Sequence, residues 1–210
     1  MGRVSDAKER LMSAVLELVW TGSYGTTTID LICEKAGVKK GSFYYFFDSK
    51  TELVATALED LWNSTYRPLM DSLYSPSVAP LDRLKAAVEH AVAEQEEKFR
   101  QFGFVLGCPL FSLGNEISTQ EQSLRDVIDR ILSTELLYLE SALREAAAKG
   151  TISCADPAFM AKAIFLYWEG ALAEARIKND VKLLSNLWPS IEKLIGLSGQ
   201  TPTKPNMQAA

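Results

Sequence analysis

Apolar residues recur along this chain three and four positions apart, and that spacing predicts helices from end to end. Leu11, Ala14, Val15, Leu18 and Val19 give a first amphipathic helix over 6–20, closed by Gly22 and Gly25. Ile29, Ile32, Cys33 and Ala36 place one buried face on a short second helix, after which Gly37 supplies a turn. Beyond the turn, Val38 and the pair Phe43 and Phe47, four apart, pack back against that second helix. Ser49 to Glu52 reads as a capping box. It opens a longer helix, carried by Leu53, Val54, Ala57, Leu58, Leu61 and Trp62, that should run to about 74.

Ser75-Pro76-Ser77-Val78-Ala79-Pro80 is the clearest break in the chain. After it Leu84, Val88, Ala91, Val92, Gln95 and Phe99 continue one stripe, with 94–98 read as a solvated polar face. The segment 103–114, with Cys108-Pro109 inside, interrupts helicity. Ser118 to Glu121 is a second capping box, followed by a long helix to about 149. Its Leu124, Val127, Ile128, Ile131, Leu132, Leu136, Leu139 and Leu143 form a band wider than one neighbour can cover. Asp156 as cap and Pro157 at the first helical position open a helix to about 179. Its small residues Ala161, Gly170, Ala171, Ala173 and Ala175 let helices approach closely. These two helices read as a surface on which each subunit of a homodimer donates residues 120–149 and 157–179 to a four-helix bundle; the alternative buries the whole band within one subunit. A last helix over 181–195 precedes a Pro, Thr and Ser tail expected to be disordered.

The stretch 28–50 carries the most chemistry. With Phe43 and Phe47 turned inward, Lys39, Lys40, Ser42, Tyr44 and Tyr45 are left to point outward on a short helix. Hydroxyl and ammonium groups on such a face suit a DNA major groove, where they reach phosphates and base edges. Gly41 would let the backbone come close. The fold class is therefore all-α: a three-helix helix-turn-helix DNA-binding domain at 1–50, a helical body at 51–197 that carries the dimerisation helices, and a tail at 198–210. The plainer reading of 28–50 is a helical hairpin with an aromatic core.

Composition changes this picture little. A chain of 210 residues with 47% hydrophobic residues can bury a real core. The net charge of −5 argues against DNA only until it is divided: residues 1–50 hold seven Lys or Arg against six Asp or Glu, and the rest is net acidic. No apolar run approaches a membrane span and the start is too polar for a secretory signal, which places the chain in the cytoplasm. Cys33, Cys108 and Cys154 are odd in number and match no zinc spacing, and Cys33 falls on a buried face. His90 stands alone. No hydrolase triad, metal cluster or phosphate loop is present, so neither an enzyme nor a bound cofactor or metal is expected.

Thr28, Ile32, Ala36-Gly37-Val38, Gly41, Phe43-Tyr44-Tyr45, Phe47 and Lys50 together resemble the DNA-binding signature of TetR-family transcriptional regulators. The resemblance implies that Lys40, Gly41, Ser42 and Tyr44 face base edges, while Thr28, Tyr45 and Lys50 meet phosphates, with Lys39 beside them. Two positions depart from the family. Lys39 stands where a capping Ser is common and cannot accept the backbone N–H. Phe46 stands where His is common, so any phosphate contact made by that imidazole is expected to be missing here.

A two-fold dimer would read a palindromic operator whose half-sites lie about one helical turn, ~34 Å, apart. The resemblance further implies a repressor released by a small-molecule inducer held in the aromatic-rich body. Candidate lining residues are Trp62, Tyr66, Phe102, Phe104, Cys108, Phe111, Tyr138, Phe165 and Trp168, each of which could instead be plain core. Gly107-Cys108, Asn115-Glu116 and Leu124-Arg125 resemble a subset of the family, some of whose members sense electrophiles or oxidants through a cysteine in this region, here Cys108. That role needs a cation near the thiol, for which Arg176 is a candidate. The remaining alternatives are a helical enzyme or carrier, or an interaction scaffold, neither of which would use the outward face of 39–45.

Overall fold

A computed structural model describes residues 3–117 and 119–197, which form helices and turns with no strand. α1 (Arg3–Thr21) buries Leu11, Ala14 and Val15. α2 (Ile29–Ala36) starts at Thr28, whose hydroxyl oxygen accepts from the Leu31 amide, and ends at Gly37 with φ 62°. A side chain resists that left-handed backbone, and glycine does not. Arg10 of α1 donates to the carbonyls of Ala36, 2.9 Å, and Gly37, 3.3 Å, satisfying the helix end and pinning the turn. α3 (Lys40–Phe46) follows with Lys39 at its N-cap and no side-chain cap bond, as a lysine there dictates. Phe43 and Phe47 are buried beneath it.

α4 (Lys50–Leu61) opens on Ser49, whose Oγ accepts from the Glu52 amide, while the Glu52 carboxylate reaches back to the Asp48 amide. The apolar stripe predicts an unbroken helix to about 74. Instead a π turn at Trp62–Tyr66 separates α4 from α5 (Arg67–Leu73). Pro68 accounts for the difference, because it has no N–H to give and its ring crowds the turn before it, which widens.

α6 (Pro80–Phe102) begins on a turn held by Arg83, which is buried and donates to the carbonyls of Val78 and Pro76 while pairing with Glu145 at 2.6 Å. Its residues 94 and 95 are not a solvated face: Gln95 is buried and Glu94 half-buried. Irregular backbone covers only 103–108 of the predicted 103–114, and α7 (Pro109–Ile117) fills the rest, since a proline at the first helical position loses no hydrogen bond. α8 (Gln122–Ala148) has Glu121 at its N-cap without a side-chain bond; the predicted cap, Ser118, lies outside the described residues. α9 (Pro157–Lys178) opens on Asp156, which accepts from the Phe159 amide at 3.0 Å, and closes on Asn179 at φ 49°. A 3₁₀ turn, Val181–Asn186, leads into α10 (Leu187–Leu194), and the predicted tail at 198–210 lies outside the described residues.

Two cores share α8. The first joins α1 to α4 with Leu113 and Ile117 of α7 and Leu124, Ile128 and Ile131 of α8. The second packs α6, α8, α9 and α10 around Leu84, Val88, Leu143, Ile164 and Ile191. The helical head is therefore welded to the body through α4, α7 and α8. α9 also leaves Phe159, Leu166, Gly170 and Ile177 exposed along one face, and α8 leaves Leu137 exposed. No helix among the described residues is long and apolar enough to cross a membrane.

Candidate functional site

The face of α3 is open where the sequence expects it. Phe43 and Phe47 turn inward, Lys39, Lys40 and Gly41 are exposed, Tyr44 and Tyr45 are 53% and 75% exposed, and Ser42 is half-buried. Lys40 Nζ lies 2.8 Å from Asp30 Oδ1 of α2, and that hydrogen bond raises its pKa. Phosphate would therefore have to compete with Asp30 for this ammonium. A Cβ added at Gly41 would meet nothing within 4 Å, so this glycine is not required by packing inside the subunit. Thr28 spends one lone pair on its cap and keeps its O–H to donate.

Lys50 is where the structure departs from expectation. Its ammonium donates to the carbonyls of Tyr24, 2.7 Å, and Thr27, 2.9 Å, and sits 3.9 Å from the centre of the Tyr24 ring. Burial lowers its pKa. The side chain fastens the loop before α2 to the start of α4, and a phosphate could claim only what those two carbonyls leave.

The same loop is clamped from the body. Glu116 of α7 accepts from the amides of Tyr24, 2.9 Å, and Gly25, 2.7 Å. The Tyr24 hydroxyl meets Thr51 and reaches Glu121 at 3.3 Å. Nearer the middle, the Gly107 carbonyl accepts from Trp20 Nε1 of α1 at 3.0 Å and from Gln95 Nε2 at 3.3 Å. Arg176 donates to Leu106 O, 2.8 Å, to Ser112 Oγ, 2.9 Å, and to Trp20 O, 3.4 Å. The irregular segment 103–108 thus ties α6 and α9 to the end of α1.

Gly107 and Gln95 also line an interior cavity of about 140 Å³ framed by α4, the π turn, α5, α6, α8 and α9. Of the aromatic set, Trp62, Tyr66, Phe165 and Trp168 line it, together with Cys108. Phe102, Phe104, Phe111 and Tyr138 do not. Phe102 lies about two turns past Gln95, the last lining residue of α6. Phe104 is 62% exposed on the loop. Phe111 is half-buried just past Leu110, the last lining residue of its segment, and the Tyr138 hydroxyl is drawn to Asp71 outside the cavity.

Sequence reasoning missed the carboxyls. Glu94, Glu135 and Glu169 line the cavity from α6, α8 and α9. The available signal was a glutamate inside an apolar stripe: Glu135 falls four residues from both Ile131 and Leu139, and Glu169 four after Phe165. The Tyr66 hydroxyl donates to Glu94 at 2.8 Å. Burial, then the charges of Glu169 and Glu94, push Glu135 up to about 8, and burial pushes Glu169 up to about 7 against a hydrogen bond from Cys108. Burial and the same two carboxylates, Glu169 and Glu135, push the Cys108 thiol well above its ordinary value. Arg176, the cation proposed for that thiol, is spent on two carbonyls and Ser112. A thiol held protonated is a poor nucleophile, and the cation that the electrophile-sensing alternative calls for is engaged elsewhere. Among the described residues no group of three His, Cys, Asp or Glu could hold a metal ion.

Comparison with known proteins supplies the family and the fold. Residues 11–57 match the family described as bacterial regulatory proteins, tetR family, and residues 80–191 match the tetracyclin repressor-like, C-terminal domain. The chain is 32% identical over 174 residues to the transcriptional regulator AcuR of Cereibacter sphaeroides, covering 82% of this chain and 77% of that one. It is 24% identical over 191 residues to the HTH-type transcriptional repressor NemR of Escherichia coli, covering 90% and 94%. The crystal structure of the regulatory protein TetR from Rhodobacter sphaeroides superposes with a TM-score of 0.79 at 29% identity, over 90% of this chain and 98% of that one. The chain belongs to the tetR family of bacterial regulatory proteins, and it is a DNA-binding transcriptional regulator, not an enzyme.

Proposed function

We propose that this regulator is a homodimeric repressor of a palindromic operator, released when a small molecule fills the cavity between α4, α6, α8 and α9. The observation that carries the reading is the shared loop: Gly107 and Gln95 line the cavity, and the Gly107 carbonyl holds Trp20 at the end of α1. A ligand that shifts this loop moves the end of α1, hence the spacing of the two reading heads. Base edges and phosphates would be met by Lys39, Lys40, Gly41, Ser42, Tyr44 and Tyr45, with Thr28 beside them and Lys50 acting from beneath. Dimerisation through α8 and α9 is supported by the exposed stripe of Phe159, Leu166 and Ile177 and by Gly170, where an added Cβ meets nothing within 4 Å. The name repressor is carried by NemR, the relative at 24% identity.

The test is a ligand screen read by thermal shift, followed by fluorescence anisotropy on a duplex that the protein selects from a random pool. Compounds that raise the Tm of the wild type but not of an Ala91→Phe variant, which fills the cavity, should weaken DNA binding. Cavity-bound compounds that leave DNA affinity unchanged overturn the release mechanism.

A further inference from the structure

We infer that the cavity is a receptor for an organic cation, a protonated primary or secondary amine on a small aromatic body, whose N–H groups are taken by Glu135, Glu169 and the Tyr74 hydroxyl. The inference rests on the ligand-responsive reading above and names the class of ligand.

Three carboxyl groups from three helices converge on one space, and among the described residues no Lys or Arg lines it. Among the described residues none of Glu94, Glu135 and Glu169 has an ion-pair partner. Glu94 is served by Tyr66, but Glu169 Oε2 and the Tyr74 hydroxyl have no hydrogen-bond partner. Both residues are more than nine-tenths buried, at 5% and 8% exposure. A buried polar atom without a partner is costly, and two that line the same cavity mark where a ligand's donors fit. Trp62 and Trp168 also line the space, and an aromatic ring favours positive charge over its face.

Size limits the body of the ligand. A dry cavity of about 150 Å³ accepts benzene, and this one measures about 140 Å³. A benzyl or phenethyl amine therefore fits. An anion is disfavoured, because the ionisable groups that face the space among the described residues are carboxyls, phenols and a thiol, with the imidazole of His90 the one basic group. They are Tyr66 on the π turn, Tyr74 at the end of α5, His90 and Glu94 on α6, Cys108 on the loop, Glu135 on α8 and Glu169 on α9.

Without a ligand the cluster is kept from full ionisation by burial, which holds Glu169 at about 7 and, with repulsion from Glu169 and Glu94, Glu135 at about 8. An ammonium seated between them supplies the positive charge that the protons supplied. Binding near neutral pH therefore exchanges a carboxyl proton for the amine: the O–H bond breaks, the proton passes to solvent, and the ammonium keeps its own hydrogens. Affinity should rise between about pH 6 and 8 as the carboxyls ionise, and fall only where the amine itself deprotonates.

The experiment uses the full-length dimer without DNA and three probes of nearly one shape: benzylamine, benzyl alcohol and benzoate. Isothermal titration in buffers of different ionisation enthalpy should show benzylamine binding tighter than benzyl alcohol by about tenfold or more, with net proton release and no binding of benzoate. Glu135→Gln and Glu169→Gln should each abolish that preference and the proton release. Both substitutions keep side-chain shape, and the wild-type series needs neither variant to fold. Equal affinity for benzylamine and benzyl alcohol, tighter binding of benzoate, or a preference that survives both substitutions overturns the inference. Adding the selected duplex then separates the two readings. Benzylamine that binds but leaves DNA held sinks release and spares the cation site, whereas neutral or anionic compounds that release DNA do the reverse.

Discussion

Lys50→Met tests whether this lysine is a fastener or a phosphate contact. The substitution keeps an apolar stem and removes the ammonium, which leaves the carbonyls of Tyr24 and Thr27 without the donor now at 2.7 and 2.9 Å. A buried hydrogen bond to a charged group contributes roughly 1.5–3 kcal/mol, and the contact with the Tyr24 ring roughly another 0.5–1. Lys50 is only half-buried. Water can replace part of what is lost, and the expected destabilisation is about 2 kcal/mol. Urea unfolding at one fixed protein concentration measures it, since the stability of a dimer depends on concentration. Operator affinity measured against salt gives the second reading. A fastener leaves the slope of log affinity on log salt unchanged, whereas a lost phosphate contact reduces it by about 0.9. Unchanged stability with a shallower slope would refute the assignment made from the structure.

Gly41→Ala should leave the fold intact or stabilise it by up to about 1 kcal/mol, because the position is helical and open, yet it should weaken operator binding if DNA comes against the backbone there. Unchanged affinity in the anisotropy assay would show that DNA does not approach at this point. Arg83→Met leaves Glu145 with Lys149 alone and takes the donor from the carbonyls of Val78 and Pro76, and should cost about 2 kcal/mol by urea unfolding; a loss under about 0.5 kcal/mol would deny Arg83 that role. Glu135 and Glu169 hold protons in the fold up to about 8 and about 7, against 4.5 when free, so the folded state binds more protons across that window and stability falls as pH rises through it. Each carboxyl contributes a slope of up to about 1.4 kcal/mol per pH unit. Replacing both by Gln should flatten the curve between about pH 5 and 8, and parallel curves would refute the assignment.

The head was legible in sequence because its determinants are local. Gly37 sets the turn, Phe43 and Phe47 fix which way α3 faces, and the absence of a capping Ser at 39 can be read directly from the residue. Lys50 was not legible as a fastener, since its partners are backbone carbonyls 23 and 26 residues earlier and every exposed-looking lysine near DNA invites the simpler reading. The cavity was half legible. Aromatic content marked the region, but which rings line it depends on helix ends: Phe102 sits beyond the lining stretch of α6, and the π turn set by Pro68 carries Trp62 and Tyr66, which do line it. Glu135 and Glu169 went unread because a carboxyl in an apolar stripe looks like a tolerated exception until three helices are seen to bring such residues together.

The central claim is that the outward face of α3 reads DNA on a two-fold dimer. Selection of bound duplexes from a random pool by wild type and by Tyr44→Ala tests it most directly. The account predicts that wild type enriches a palindrome with half-sites about one helical turn apart, and that Tyr44→Ala, folded and dimeric, loses most of the enrichment. A wild type that enriches nothing, or a Tyr44→Ala pool identical to the wild-type pool, would contradict it.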